Sequence, residues 1–318
     1  MTMKNNSVSQ IVSALLSFDE ITILTHVRPD GDTLGSAFAL CKALQKVGKK
    51  VQVVNYTGIS PRYTFLADGK SDIHNKCFGK IVCVDVADPK MTGETYAEYA
   101  KNADVVIDHH PTNAGFGKLN LIDPNAAACG EIVLEIIKGI CEFDKCIADC
   151  LYTAISTDTG CFVYANTTEK THYAAAELIG YGADAKTLNK TLFRTKSKAA
   201  FEMERAVIEN MQFHYDNKIV TTVIPLEKII SSGACEDDLD GVSSIPGQVS
   251  GVLASATFRQ ISKNEYKISL RTSGEIDGGA VCKSFGGGGH KMAAGCTMYG
   301  EYTELANLMA QTLYKELK

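Results

Sequence analysis

Four short segments hold the residues best able to do chemistry: His26-Val27-Arg28-Pro29-Asp30-Gly31-Asp32, then Asp85, then Asp108-His109-His110-Pro111, then Asp158 within Ser156-Thr157-Asp158-Thr159-Gly160. In the first, Pro29 and Gly31 enforce a turn among potential metal ligands, so one loop can face a cation from several sides. A single aspartate ahead of a helix is a favoured cap, but His26, Asp30 and Asp32 together exceed what capping needs. Asp85 ends the apolar run Ile81-Val82-Cys83-Val84, with Asp88 three residues on. An acid in that place is common in turns and says little alone. Adjacent histidines after an acid are a poor core solution, because each ring nitrogen needs a partner. Asp108, His109 and His110 therefore read as metal or phosphate contacts. Asp158 falls at a predicted helix end, where the helix dipole disfavours a carboxylate unless a cation offsets it.

Asp30, Asp32, Asp85 and Asp158 carry four negative charges, while His26 and His109 can ligate as neutral imidazoles, so two divalent cations balance the set. Mixed carboxylate and imidazole ligands suit Mn²⁺ best among common ions, with Mg²⁺ disfavoured by the histidines and zinc the other option. In a two-metal site about 3.5–4 Å across, a shared carboxylate bridges the ions, and a hydroxide between them attacks phosphorus in line with the leaving oxygen. Asp85, from the centre of the rim, is the candidate bridge.

The elements that must position these groups are legible from periodicity. A short amphipathic helix over Val8 to Leu16 precedes the apolar run Ile21 to Thr25, which predicts a buried strand; His26 to Thr33 then predicts a polar loop. From Leu34 the apolar positions Ala37, Phe38, Leu40, Cys41 and Leu44 recur at helical spacing until Gly48 offers a C-terminal cap. Val51 to Val54, Ile81 to Val84 and Val105 to Ile107 predict strands, Cys129 to Ile140 and Ile147 to Ile155 predict helices, and Asp184 caps another. Strands alternating with helices imply a parallel α/β sheet. In such sheets ligands bind beyond the carboxyl ends of the strands, where His26, Asp85 and Asp108 all fall.

After a helix over Ser197 to Met211 the pattern turns to strands at Lys218 to Ile224, Val252 to Phe258 and Tyr266 to Arg271, then near Cys296 to Tyr299, before a helix over Tyr302 to Leu317. The reading is a parallel-sheet α/β catalytic domain over 1–190, a linker helix over 191–214 and a smaller α+β domain over 215–318, with substrate expected in the cleft between the domains. Gly286-Gly287-Gly288-Gly289 lets backbone N–H groups approach an anion closely, and His290 adds a directional contact. A flexible surface loop is the plainer alternative; the following Lys291 and the strand near Cys296 favour a bound one. Arg271 ends a strand and could fork onto a phosphate, though a plain edge-strand arginine is about as good a reading. Arg28 and Arg194 carry less signal.

At 318 residues, 45% apolar and 22% charged, the chain can bury two cores and is not disordered. Its formal charge of −5 disfavours a broad basic groove for long nucleic acid. Eleven cysteines without a C-x-x-C pair read as reduced thiols, and Cys141, Cys146 and Cys150 read as small buried side chains on helix faces rather than a zinc site. No signal-peptide run or membrane span is predicted, which points to the cytoplasm.

Taken together, His26, Asp30, Asp32, Asp85, Asp108-His109-His110, Asp158, Gly286 to His290 and Ala293-Ala294-Gly295 resemble the motifs of the DHH family of phosphoesterases, in its short stand-alone form with a C-terminal DHHA1 domain. The resemblance covers nearly the whole chain. It implies that His26, Asp30 and Asp85 hold one metal, that Asp32, Asp85, His109 and Asp158 hold the other, that His110 contacts the scissile phosphate, and that Asp108 orients a histidine. It implies as substrates short oligoribonucleotides, linear dinucleotides or 3′-phosphoadenosine 5′-phosphate, with cyclic dinucleotides as the alternative; a homodimer is compatible with it. A pyrophosphatase of the same superfamily should lack the glycine loop. A catalytically silent nucleotide sensor should have lost a ligand, and all six candidate ligands are present. A processive single-strand nuclease would call for further nucleic-acid-binding domains and more basic charge.

Overall fold

The computed structural model describes residues 5–317, which divide into two compact units with the boundary between Thr195 and Lys196. The first is built on five parallel strands, β1 (Glu20–Leu24), β2 (Lys50–Val54), β3 (Lys80–Val84), β4 (Val105–Asp108) and β5 (Leu119–Ile122), in the order β2-β1-β3-β4-β5. Side chains alternate between the two faces as the pleat dictates. Ile23, Val82, Val84, Val105 and Ile107 enter the larger core, while Leu24, Ile81, Cys83 and Val106 enter a smaller one on the other side. Helices α1 (Val8–Ser17), α2 (Gly31–Lys46), α4 (Cys129–Lys138), α5 (Lys145–Asp158), α6 (Glu169–Gly180) and α7 (Ala185–Phe193) contribute to the larger core, and α3 (Glu94–Lys101) to the smaller. The strand order reverses between β1 and β3, and such a reversal opens a crevice at the carboxyl edge.

Two differences from the sequence reading bear on that edge. Helix α2 starts at Gly31 rather than Leu34, because Asp30 caps it by accepting from Thr33 N at 3.0 Å. Asp32 and Thr33 are thus helical, not part of a loop. Cys146 is exposed and Cys141 lies beyond α4, so only Cys150 of that trio is a buried helical thiol.

The second unit holds α8 (Lys198–Glu209), β6 (Gln212–His214), β7 (Ile219–Ile224), α9 (Leu226–Ser232), β8 (Ala254–Ser262), β9 (Glu265–Thr272), α10 (Gly278–Ser284), β10 (Gly288–Gly289), β11 (Ala293–Tyr299) and α11 (Tyr302–Glu316). Its sheet runs β10-β11-β9-β8-β7-β6, antiparallel except for the parallel β7–β8 pair. Ala256, Phe258, Ile268 and Leu270 pack on Ala306, Met309 and Leu313 of α11, while Met203 and Val207 of α8 join Ile224 and Val242 in a separate cluster. The last strand begins at Ala293, three residues before the predicted Cys296, because pairing with β9 extends to Arg271. Among the described residues no helix is long and apolar enough to cross a membrane.

Three glycines let the helices of the first unit approach at backbone distance. A Cβ at Gly31 would lie 2.4 Å from Thr157 Oγ1, one at Gly35 2.4 Å from the Cys150 carbonyl oxygen, and one at Gly130 2.7 Å from Ala154 Cβ. Gly31 and Gly35 are one turn apart on the same face of α2, so α5 is seated against that face. Replacing Gly35 by Ala should gain about 1 kcal/mol of helix propensity and lose more, because overpacking costs about 1–3 kcal/mol and the obstacle is backbone. Urea unfolding of G35A should show a net loss of about 1–2 kcal/mol, with weakened binding of divalent cations as α2 shifts.

Candidate metal centre

The carboxyl ends of β1, β3 and β4 deliver three of the four segments, and the C-terminus of α5 delivers the fourth. The ligand atoms of His26, Asp30 and Asp85 lie within 4.8 Å of one another, as do those of Asp32, His109 and Asp158, and those of Asp85, His109 and His110. His26 Nε2 is 3.6 Å from Asp85 Oδ2 and 3.9 Å from Asp30 Oδ1. His109 Nε2 is 3.6 Å from Asp85 Oδ1, 3.7 Å from Asp32 Oδ2 and 3.8 Å from Asp158 Oδ2. All six predicted metal ligands are therefore brought together, with Asp85 between the two histidines.

Each side chain is aimed by a specific partner. His26 Nδ1 is 2.8 Å from the Val27 carbonyl, which turns Nε2 towards the acids. His109 Nδ1 lies 3.2 Å from the Ala126 carbonyl. Asp108 is fully buried: its Oδ1 accepts from His109 N at 2.8 Å and lies 2.8 Å from His110 Nδ1, and its Oδ2 accepts from Asn113 Nδ2 at 2.7 Å. Asp108 orients His110 and leaves Nε2 of that ring free. Asp32 accepts from Cys129 N at 2.7 Å, Gly130 N at 3.0 Å and Ser36 Oγ at 3.0 Å. Ala128, at the cap position of α4, has no side chain to offer, so Asp32 caps that helix from across the fold.

Asp85 is the least comfortable residue of the set. It is 2% exposed and its φ is +58°, a left-handed conformation that costs a side-chain-bearing residue about 1–2 kcal/mol. Thr33 Oγ1 donates to its Oδ2. Its Oδ1 is buried and has no hydrogen-bond partner. An uncompensated buried carboxylate oxygen is costly, and its nearest cationic candidates are the His109 and His110 rings, each with a nitrogen 3.6 Å away.

The electrostatics show the same shortage of positive charge. Burial and the neighbouring charges of Asp85 and Asp158 push Asp32 well above the usual carboxylate range. Burial pushes Asp158 up to about 6, against the pull of His109. For His26 burial alone would lower the pKa, but the neighbouring carboxylates of Asp85 and Asp30 raise it to about 9. His110 is raised by its bond to Asp108. The oxygen and imidazole donor set suits a divalent ion.

The sequence reading missed the residues that hold this set in place. Thr33 and Ser36 had a signal, since Ser36 falls one helical turn after Asp32. Asn113 and the α4 amides had none. Asp88 caps a short 3₁₀ turn instead, accepting from Lys90 N at 2.8 Å. Arg28 is exposed and donates its N–H to Thr57 Oγ1, and Arg194 ends α7.

In the second unit, the glycine run is half strand: Gly288 and Gly289 pair with Gly295 and Ala294. A Cβ at Gly287 would lie 2.2 Å from the Gly295 carbonyl oxygen, and one at Gly289 2.5 Å from Ala294 Cα, so packing requires Gly287, and packing together with a φ of +141° requires Gly289. Gly286, at φ +76°, needs its glycine for conformation. A cavity of about 540 Å³ is bordered by Gly286, Gly287, Gly288, Lys267 and Phe285. Arg271 and the exposed His290 are not among its lining residues. Arg271 shares the register of Ala293, whose carbonyl accepts from His290 N at 2.8 Å.

The DHH family N-terminal domain matches residues 20–155, and the DHHA1 domain matches residues 216–316. The bifunctional oligoribonuclease and PAP phosphatase NrnA of Thermus thermophilus is 34% identical over 286 residues, which is 88% of this chain and 84% of that protein. The chain belongs to the DHH family. The crystal structure of an exopolyphosphatase-related protein from Bacteroides fragilis, 24% identical, shares the fold at a TM-score of 0.86 over 97% of this chain and 95% of that one. The cyclic-di-AMP phosphodiesterase PdeA of Listeria monocytogenes is 24% identical over 89% of this chain but only 45% of its own length. The triplet that gives the DHH family its name is here Asp108-His109-His110, and only its first member is fully buried.

A divalent cation entering this site must displace protons, since the surrounding carboxylates push His26 up to about 9 and burial pushes Asp158 up to about 6. Both pKa values are raised, so both groups hold protons at low pH. Affinity for Mn²⁺ should therefore rise as pH increases from about 5 to 9, by up to tenfold per unit for each proton displaced. Calorimetric titrations in buffers of different ionisation enthalpy should register that release.

Proposed function

We propose that this chain is a Mn²⁺-dependent two-metal phosphoesterase that cleaves short oligoribonucleotides and linear dinucleotides to mononucleotides, and converts 3′-phosphoadenosine 5′-phosphate to AMP. The observation that carries the reading is Asp85: buried, strained, set between His26 and His109, with one carboxylate oxygen unpartnered. The Thermus thermophilus relative, named for these activities, aligns over most of both chains, whereas this chain matches less than half of the cyclic-di-AMP phosphodiesterase.

In this reading His26, Asp30 and Asp85 hold one ion and Asp32, Asp85, His109 and Asp158 the other. Such ions supply charge stabilisation at the phosphoryl group and lower the pKa of water. The protein's own part is to fix the carboxylates on stiff elements, with α4 amides holding Asp32 and Thr33 holding Asp85. His110, aimed by Asp108, presents Nε2 to the scissile phosphate as a donor. Arg271, Gly286, Gly287, Gly288, Gly289 and His290 of the second unit bind a further phosphate of the nucleotide.

The test is product analysis with Mn²⁺ against a dinucleotide, a longer oligoribonucleotide, a cyclic dinucleotide and 3′-phosphoadenosine 5′-phosphate. Preference for the cyclic substrate would replace this reading with the alternative, and inertness towards all four would favour a nucleotide sensor. Asp85→Asn should fold, lose bound metal and fall in turnover by about a thousand-fold or more, equivalent to about 4 kcal/mol. Near wild-type rates in that variant would refute the shared-carboxylate assignment.

His290→Ala should remove binding energy without touching the metal rim. A donor to a charged phosphate contributes about 1.5–3 kcal/mol, so kcat/KM for a dinucleotide should fall roughly ten- to a hundred-fold. A small aryl phosphate ester should be hydrolysed as well as by wild type; equal loss on both substrates would place His290 at the chemistry instead.

A further inference from the structure

The turn that follows Asp158 is strained and tightly held. Gly160, Cys161 and Phe162 are three successive residues with positive φ, at +56°, +58° and +67°, a conformation costly to residues that carry a side chain. Such strain persists only where the surroundings hold it, and here they do. The Phe162 ring stacks on His172 of α6 at 5.5 Å and meets Tyr152 of α5 edge-on at 6.0 Å. Cys161 N donates to the Ser156 carbonyl at 2.7 Å, Phe162 N to Thr159 Oγ1 at 3.2 Å, and Val163 N and Tyr164 N to the Thr159 carbonyl at 2.9 and 3.0 Å. Asn166 Nδ2 closes the far side, donating to the carbonyls of Ala127 at 2.9 Å and of Asp158 itself at 3.1 Å. The turn is thus fastened to the backbone of a predicted metal ligand.

What the turn presents is the ring of Tyr164, 61% exposed, while its neighbour Phe162 packs on the core. A Cβ at Gly160 would come closest to Tyr164 Cζ and lie 2.5 Å from Cε1 and 2.7 Å from Cε2. Three adjacent ring carbons at nearly equal distance mean that Gly160 lies under one face of the ring, a seat that any side chain at position 160 would occupy. The exposure therefore falls on the other face and the edges. Consecutive Cα atoms are 3.8 Å apart, so Gly160 Cα is no more than about 7.6 Å from that of Asp158, and the seated ring adjoins the metal rim.

We propose that Tyr164 is a specificity residue of the phosphoesterase site, its open face stacking on the nucleobase of the nucleotide whose phosphate lies at the metal rim. The proposal rests on the phosphoesterase reading. An aromatic face selects a flat π system, and of the parts of a nucleotide only the base is one. Phosphate and sugar would gain nothing from this ring. Stacking on an aromatic side chain is tolerant of base identity, because every base has a π face, which suits an enzyme that takes short oligoribonucleotides of any sequence. The rigid turn fixes the distance from the ring to the rim, so the same contact that binds the base sets where its phosphate lies.

The chain has no tryptophan, so Y164W carries a single fluorescent reporter on the platform. Titrated in Mn²⁺, AMP should quench it and ribose 5-phosphate, which lacks the base, should not. No quenching by AMP, or equal quenching by ribose 5-phosphate, overturns the proposal. This arm needs no turnover, so the phosphoesterase reading can fail while the platform stands. The activity arm compares Y164L, which fills the seat over Gly160 without a π face, with Y164F, which keeps the ring. In Y164L kcat/KM for a dinucleotide should fall roughly five- to a hundred-fold, and Y164F should restore it. Removing the bases from the substrate should cost wild type a similar factor and Y164L much less. An equal penalty for base removal in wild type and Y164L, or a loss in Y164L that Y164F does not restore, overturns stacking at this ring.

Discussion

Mutual repulsion among buried carboxylates is the constraint around which the first unit is organised. Asp32 and Asp85 are almost wholly buried, Asp158 is mostly so, and Asp30 stands at their edge. In a low-dielectric interior such charges cannot coexist without compensation. The protein supplies some: the N-terminus of α4 turns two amides onto Asp32, where the helix dipole also helps. Thr33 and the two histidines supply more for Asp85. The remainder shows as raised pKa values at Asp32, Asp158 and His26. A metal-binding site is recognisable as a place where protein groups alone leave the balance negative.

Holding that arrangement requires stiffness in the backbone. Gly31, Gly35 and Gly130 remove the side chains that would separate α2, α4 and α5, and with these helices in backbone contact Asp32 reaches the amides of α4. Asp85 accepts a left-handed φ so that its carboxylate leaves the end of β3 towards the neighbouring histidines, while its own N–H continues the ladder to Ile107 at 2.9 Å. Strain of this kind persists only where the surroundings over-determine it, and here β3 is flanked on both sides by paired strands.

That these residues would share one rim was legible in the sequence because they are side-chain types that few other roles explain. Asp-His-His after an apolar run, and an acid at the end of a helix, announce themselves by residue identity. The parallel sheet was legible from period and length. What was not legible depends on contacts between distant segments: Asp32 as the cap of α4 joins residues nearly a hundred positions apart, and Asn113 bonded to Asp108 looks in sequence like an ordinary loop asparagine. Strand β5 and helices α3 and α6 were missed because short elements with mixed polarity give weak periodicity. The start of α2 was misplaced because Gly31, a poor helix former, hid the capping role of Asp30.

The glycine run shows why composition alone under-determines a site. Four consecutive glycines suggest a free backbone able to wrap an anion, yet Gly287 and Gly289 are fixed by close approach to β11, and Gly288 pairs with Gly295. Gly286, at φ +76°, is selected by its dihedral angle, and Gly289, at φ +141°, by dihedral angle and neighbours together. A loop pinned on this scale presents its amides in a definite array instead of sampling many, and an array fixed in advance binds an anion at lower entropic cost.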